Sequence, residues 1–399
     1  MEQPVRADKQ SVIWRVPLAD VLVDDEVLGA VREATASGWW STGPRVEEFE
    51  QAFASYIRSR HAIAVSNGTA AIHLALLAAG CGPGDEVVLP SLNFVAAANA
   101  VSHTGARPVF CDVVGSSDLN LDPNDVESLF TERTKAILVL HYGGYCCDID
   151  AILDAASVRG LVVIEDAAHA PGASWRAQMC GTFGDLGCFS FFSNKNLPVG
   201  EGGMVVTDDQ ELAQRVRLLR SHGMTTLTWA RHQGHADSYD VVARGHNYRF
   251  DEMRAAIGLV QLRRLHDSNK ARGDIVARYR SAIHDVAGMT MPFDKHDAPT
   301  SAHHLAVVVL PSPELRALMR EHLRGRGIQT SLHYPPIHRF SEYSGETRRR
   351  LVATDDVADR VLTLPLFPHM SEDQLELVVE AVLECAATSP QEVTKLHPR

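Results

Sequence analysis

Between Arg60 and about Asp208, short β-branched apolar runs alternate with amphipathic stretches of helical length. The runs fall at residues 61–65, 86–89, 107–111, 136–140, 161–165, 187–191 and 203–207. They are continuous apolar runs rather than alternating ones, the pattern of strands covered on both faces of a mostly parallel sheet. Segments 69–80, 122–130 and 150–159, which lie between the earlier runs, have helical length. The pattern predicts α/β layering with about seven strands.

After Asp209 the character changes. A helical stretch runs from Asp251 to about Ile283, with Met253, Ile257, Val260 and Leu265 at roughly helical spacing. A Pro-rich link follows, then a strand-like run at 304–310, a helix at 312–326, a second strand at 328–334 and a final helix to about Ala387. Ser371 and Gln374 form a capping pair at the start of that last helix. The expected division is a large domain over residues 15–265 and a smaller α+β domain over 266–399, with the N-terminal segment partly packing on the latter.

Composition narrows the function classes. With 38 Lys+Arg against 50 Asp+Glu the formal charge is 38 − 50 = −12, and no basic stripe offsets it, so nucleic acid is not an expected partner. No apolar run approaches the roughly 18 residues of a membrane span, and residues 1–10 lack the apolar region of a secretory signal. The seven cysteines have no CxxC pair and read as free thiols in a reducing cytoplasm. The 19 histidines show neither HExxH nor Cys/His zinc spacing, so no metal is expected.

Four motifs carry candidate chemistry. Lys195 follows an apolar strand and precedes a glycine-rich turn; a partly desolvated amine there has a lowered pKa and is nucleophilic. Taken alone, it reads more readily as a surface lysine. Asp166, at the carboxyl end of run 161–165, is followed by small residues and His169; a carboxylate facing a pyridine nitrogen keeps it protonated, although helix N-capping is an equally common use. Ser66-Asn67-Gly68-Thr69-Ala70-Ala71 places a hydroxyl and free N–H groups at a helix start, an anion site that matches neither GxGxxG nor GxxxxGK[ST]. Phe94, after another strand end, is placed to stack on a heterocycle, the alternative being a core position. In this order the four supply the contacts that pyridoxal 5′-phosphate (PLP) needs.

The order and wording resemble the DegT/DnrJ/StrS family of sugar aminotransferases, PLP enzymes of fold type I (aspartate-aminotransferase-like). The resemblance spans nearly the whole chain, through Ser37-Gly-Trp-Trp-Ser-Thr-Gly-Pro44, Ser66–Ala71, Gly82-Pro-Gly-Asp-Glu-Val87, Glu165–Ala173, Lys195–Gly203, Gly245-His-Asn-Tyr-Arg249, His333-Tyr-Pro335 and Leu364-Pro-Leu366. It implies that Lys195 bonds covalently to the cofactor aldehyde and shuttles a proton. Asp166, 195 − 166 = 29 residues upstream, is the implied partner of the pyridine nitrogen, and His169 the neighbour of the phenolic oxygen. Phe94 and Ala168 are implied on the two ring faces, and Thr69, Ala70 and Ser190 at the phosphate. Asn247 is implied at the phosphate of a neighbouring subunit's cofactor, which makes a homodimer with shared sites the expected assembly. Trp40, Arg231, His333 and Tyr334 are candidate substrate contacts.

The implied reaction moves an amino group from L-glutamate or L-glutamine to a keto sugar, foremost a nucleotide-linked 3- or 4-keto-deoxysugar. Alternatives are a keto-cyclitol acceptor of the scyllo-inosose type, an aminohydroxybenzoate-type synthase, and a non-catalytic protein that binds PLP or a sugar. The sugar dehydratases of the family put His at the lysine position, so Lys195 disfavours that branch. Lys195→Ala is expected to abolish turnover, by about 10⁴-fold or more, together with the visible absorbance of the bound cofactor; a variant with normal activity refutes the assignment.

Overall fold

The computed structural model describes residues 14–226, 229, 234, 238–294, 300–347 and 349–387. All seven apolar runs pair into one sheet. In chain order its strands are β1 (His61–Val65), β2 (Glu86–Pro90), β3 (Arg107–Cys111), β6 (Thr134–Leu140), β7 (Val162–Asp166), β10 (Leu186–Ser190) and β11 (Gly203–Thr207). Two-stranded ribbons account for the intervening numbers: β4 (Val113–Gly115) with β5 (Asp118–Leu121), and β8 (Ser174–Trp175) with β9 (Gln178–Met179). The spatial order is β1-β11-β10-β7-β6-β2-β3. Strands β10, β7, β6, β2 and β3 are parallel, whereas β11 runs antiparallel to both β10 and β1.

Alternate residues of these strands enter two separate cores, as the pleat requires. Ala62, Ala64, Ile137, Val139 and Val163 join α2 (Pro44–Ile57), α6 (Ile149–Ser157) and the first half of the long helix Glu252–Ile283. Ile63, Val65, Ala136, Leu138 and Ile164 join α3 (Gly68–Ala78), α4 (Ala96–His103) and α7 (Gln210–Arg220). With both faces covered by helices, the runs had to be apolar at every position.

A third core forms around β12 (Ala306–Val309), antiparallel to β13 (Val361–Leu364), and takes in Ile275, Val276, Tyr279 and Ile283 from the second half of the long helix. The N-terminal segment joins it: Val16 bridges Ile328, and the Leu366 N–H donates to Leu18 O at 3.0 Å. Ser371 and Gln374 cap the last helix reciprocally, Gln374 N–H to Ser371 Oγ at 3.2 Å and Ser371 N–H to Gln374 Oε1 at 3.1 Å.

The second strand of this unit is not where the sequence pattern puts it. Residues 328–334 make only isolated bridges, Val16↔Ile328 and Ser331↔Thr363, and the ladder partner of β12 is Val361–Leu364. Segment 328–334 turns from one partner to another within four residues and runs into Pro335-Pro336, so no continuous pairing forms. The run expected at 304–310 is shortened because the His304 N–H donates to Gly143 O at 2.8 Å, fastening the smaller unit to the loop after β6.

Glu165, fully buried on β7, ties three chain segments together. Its carboxylate accepts N–H groups of Gly181 (2.6 Å), Phe183 (2.6 Å) and Gly184 (2.7 Å), and His141 Nε2 lies 2.8 Å away. Such a carboxylate has no surplus lone pair, and an amide in its place turns donors toward donors. Glu165→Gln is therefore expected to lower stability by about 2–4 kcal/mol, read as the shift in a guanidinium unfolding midpoint; an unchanged midpoint contradicts this account.

Candidate active site

Four strand ends converge on one cavity. Strands β1, β2, β7 and β10 each deliver a motif beyond their carboxyl or carboxyl-side ends, where open α/β sheets bind ligands. The cavity is about 580 Å³ and is lined by Thr69, Ala70, Phe94, Asp166, Ala168, His169, Ser190, Lys195, His333 and Tyr334 among others. A larger surface depression of about 930 Å³ surrounds Arg107, Arg133 and Arg349 and contains none of the candidate residues. Its arginines are paired with Glu86 or Asp125, so it presents little unbalanced charge.

The anion end is a helix start. Asn67 caps α3, its side chain accepting the Ala70 N–H at 2.8 Å. That cap takes the Ala70 donor, and the first-turn N–H groups of Gly68 and Thr69 with the Thr69 hydroxyl remain beside the cavity. Gly68 is required by closeness: a Cβ there would lie 2.7 Å from Ser190 Cβ. Gly203 is likewise pressed against Asn67, with a built Cβ 2.5 Å from Asn67 O. Small residues thus let two strand ends and a helix start meet around one group.

Asp166 is 5% exposed, and Ala168 N–H donates to its Oδ1 at 3.2 Å. Asn93 Nδ2 stands 3.5 Å from Oδ2, a long contact. Burial raises the carboxyl pKa above its ordinary value, partly offset by the Ala168 N–H and the Lys195 charge. Lys195 lines the cavity from the turn after β10, where its N–H closes onto Phe192 O at 2.8 Å. Crowding of protein around the amine lowers its pKa to about 8, against the opposing pull of Asp166. The backbone around it is fixed by Phe191 N–H to Gly202 O (2.8 Å) and Val199 N–H to Phe191 O (2.9 Å).

His169 is buried, and its tautomer follows from its neighbours. The Gly143 N–H points at Nδ1 at 3.3 Å, so Nε2 carries the hydrogen and donates to the Tyr334 hydroxyl at 2.9 Å. Burial, then the charges of Lys195 and His333, hold the His169 pKa well below its ordinary value, so the ring is neutral. Phe94 is 56% exposed at the cavity mouth with its ring 5.9 Å from that of Tyr334. An aromatic left this open is not a core residue.

Three candidates lie elsewhere. Trp40 is 57% exposed, its indole N–H on Thr35 O at 3.0 Å, and it does not line the cavity. Asn247 is exposed and bridged to Ser221, also outside this chain's cavity. Arg231 lies outside the described residues. The structure in turn adds Asn93, His103, Asn194, Glu201 and Tyr248 to the lining. Asn93 sits inside a motif already singled out for its aromatic neighbour and Tyr248 inside the stretch Gly245–Arg249 that carries the family resemblance, whereas His103 had no local signal.

The donor set fits PLP. A helix start offers N–H groups to a phosphate, a buried carboxylate faces the cavity, an amine stands ready for an aldehyde, and buried Asn194 Oδ1 has no hydrogen-bond donor among the described residues. Fold and constellation together fit a PLP enzyme of fold type I. The chain belongs to the DegT/DnrJ/EryC1/StrS aminotransferase family, whose pattern matches residues 22–383, and PLP is its cofactor.

Named relatives extend over nearly the full chain. The spore coat polysaccharide biosynthesis protein SpsC of Bacillus subtilis (strain 168) is 41% identical over 379 residues, covering 92% of this chain and 96% of that protein. The dTDP-4-dehydro-2,3,6-trideoxy-D-glucose 4-aminotransferase of Saccharopolyspora spinosa is 38% identical over 370 residues, covering 92% and 95%. The crystal structure of the aminotransferase TlmJ from Streptoalloteichus hindustanus superposes with a TM-score of 0.85 at 36% identity, covering 94% and 98%.

The lysine makes a pH prediction. Its nucleophilic form is populated above the lowered pKa, so capture of the cofactor aldehyde by apoprotein should rise with pH through about 8 and then level off. In Asp166→Asn the opposing charge is gone and the midpoint should move to lower pH. Stopped-flow growth of the visible absorbance checks both; a midpoint near the ordinary lysine value contradicts the burial argument.

Proposed function

We propose that this aminotransferase takes an amino group from L-glutamate or L-glutamine and delivers it to a nucleotide-linked 3- or 4-keto-deoxysugar in amino-sugar biosynthesis, acting as a cytoplasmic homodimer. The observation that carries the reading is the single cavity that holds a crowded amine, a buried carboxylate and a neutral histidine beside a helix start. The 38% identical relative named as a dTDP-4-keto-sugar 4-aminotransferase supports the acceptor class. Exposed Asn247, outside the cavity of its own chain, supports a site completed by a second copy.

Bound PLP supplies an electron sink that stabilises negative charge at the donor Cα. Asp166 holds a proton on the ring nitrogen, and its burial strengthens that contact. The N–H groups of Gly68 and Thr69, with the Thr69 and Ser190 hydroxyls, hold the phosphate end. Lys195 Nζ removes the proton from Cα and returns one during transfer; a pKa of about 8 suits both directions near neutral pH. His169, neutral and fixed by Gly143, orients the Tyr334 hydroxyl, which becomes a donor toward the phenolic side. Phe94 and Ala168 confine the ring, and the open mouth beside Phe94 and Tyr334 admits the sugar.

The test is a panel of keto-sugar nucleotides and keto-cyclitols offered with each donor, following amine formation by mass spectrometry. Amination of a nucleotide-linked keto-deoxysugar is expected, and Asp166→Asn should lower kcat by about 10²-fold or more with little change in phosphate-end binding. Turnover confined to keto-cyclitols, or none with any keto sugar, removes the reading.

A further inference from the structure

The transfer chemistry leaves one buried cluster unused. His141 follows β6, Cys146 lies five residues further in the same loop, and Cys180 follows the β8–β9 ribbon. One ligand atom from each lies within 4.8 Å of the other two, and all three residues are buried. Bonds of about 2.3 Å to sulfur and 2.0–2.1 Å to nitrogen place the donors of a tetrahedral ion roughly 3.5–4 Å apart, so a closure of about 1 Å or less suffices. Cysteine is often just a small core hydrophobe. The setting of the imidazole distinguishes this trio.

Glu165 lies 2.8 Å from His141 Nε2 and is otherwise occupied by three backbone N–H groups. An acceptor-only carboxylate keeps the hydrogen on Nε2, so Nδ1 offers a lone pair, against which the Cys147 N–H stands at a long 3.3 Å. A carboxylate behind one ring nitrogen, leaving the other without a hydrogen, is how ligating histidines are oriented.

We propose that His141, Cys146 and Cys180 form a binding site for one thiophilic divalent cation, zinc, which fastens the loop after β6 to the segment after the β8–β9 ribbon. Two thiolates and an imidazole, without a carboxylate among the ligands, select a soft ion over magnesium or calcium. Whether the trio's protons sit on both thiols or on one thiol and the imidazole, two are present, and binding releases both as the two metal–sulfur bonds form. The site lies directly behind the cofactor carboxylate: the His141 N–H donates to Asp166 O at 3.3 Å, and Glu165 adjoins Asp166. The ion therefore stiffens the strand end that carries Asp166, and takes no part in amine transfer. Local spacing hid it, because Cys180 is 180 − 146 = 34 residues beyond Cys146.

The experiment uses untagged full-length holoenzyme, expressed with added zinc sulfate and washed briefly with chelator. Plasma mass spectrometry is expected to find about one zinc per chain in the wild type and less than about a tenth of that in Cys146→Ala/Cys180→Ala. Should the variant fail to fold, cobalt loaded into the wild type reads the same ligands: sulfur-to-cobalt charge transfer and the ligand-field bands of a tetrahedral site, both lost when zinc is added. Wild type that keeps no zinc, equal zinc in the double variant, cobalt without thiolate bands, or a Cys146–Cys180 disulfide in the isolated protein each overturns the assignment. None of these readouts depends on amine transfer.

Discussion

An amine and a carboxylate leave water only when something in the fold compensates them, and this protein places both in one cavity. Crowding around Lys195 pushes its pKa down toward about 8, burial pushes that of Asp166 up, and each charge partly restores the other. The pair is consequently mutually dependent: Asp166 without a cationic neighbour would tend to protonate, and Lys195 without Asp166 would lose its proton more readily. Much of the surrounding structure serves to hold these two groups in the same poorly solvated space. The Ala168 N–H supports one carboxylate oxygen, and closed backbone turns fix the lysine.

A parallel sheet is suited to that task because its strand ends are rigid and close together. Neighbouring strands are about 5 Å apart, so β7 and β10 deliver Asp166 and Lys195 to one side of the sheet although 29 residues separate them. The cost is close packing. Gly68 and Gly203 have no room for a side chain, and Glu165 has to satisfy three backbone donors and an imidazole immediately behind Asp166. The same density gathers His141, Cys146 and Cys180, so the polar layer under the site and the proposed ion site are products of one constraint.

The smaller unit completes the cavity instead of merely flanking it. His304 is bonded to the loop after β6, and Tyr334, from the irregular segment before Pro335-Pro336, reaches His169. One unbroken helix, Glu252–Ile283, contributes to the sheet core with Leu262 and Leu265 and to the smaller core with Tyr279 and Ile283. A rigid rod shared by two cores limits how far Tyr334 moves relative to Asp166.

Local chemistry made the sheet strands, the last helix cap and the order of the cofactor motifs legible, because each is written in adjacent residues: apolar runs, a Ser/Gln pair, a lysine before glycines. The identity of β13 was not legible, since Val361–Leu364 is too short for periodicity and its pairing with β12 depends on residues more than fifty positions away. Asn93 beneath Asp166, the tautomer of His169 and the meeting of Cys146 with Cys180 were equally beyond reach. Sequence alone determined which groups are available and which strand end bears each of them. Distances, protonation and neighbours were decided by the tertiary structure, because they arise from burial and from contacts between segments that share no local pattern.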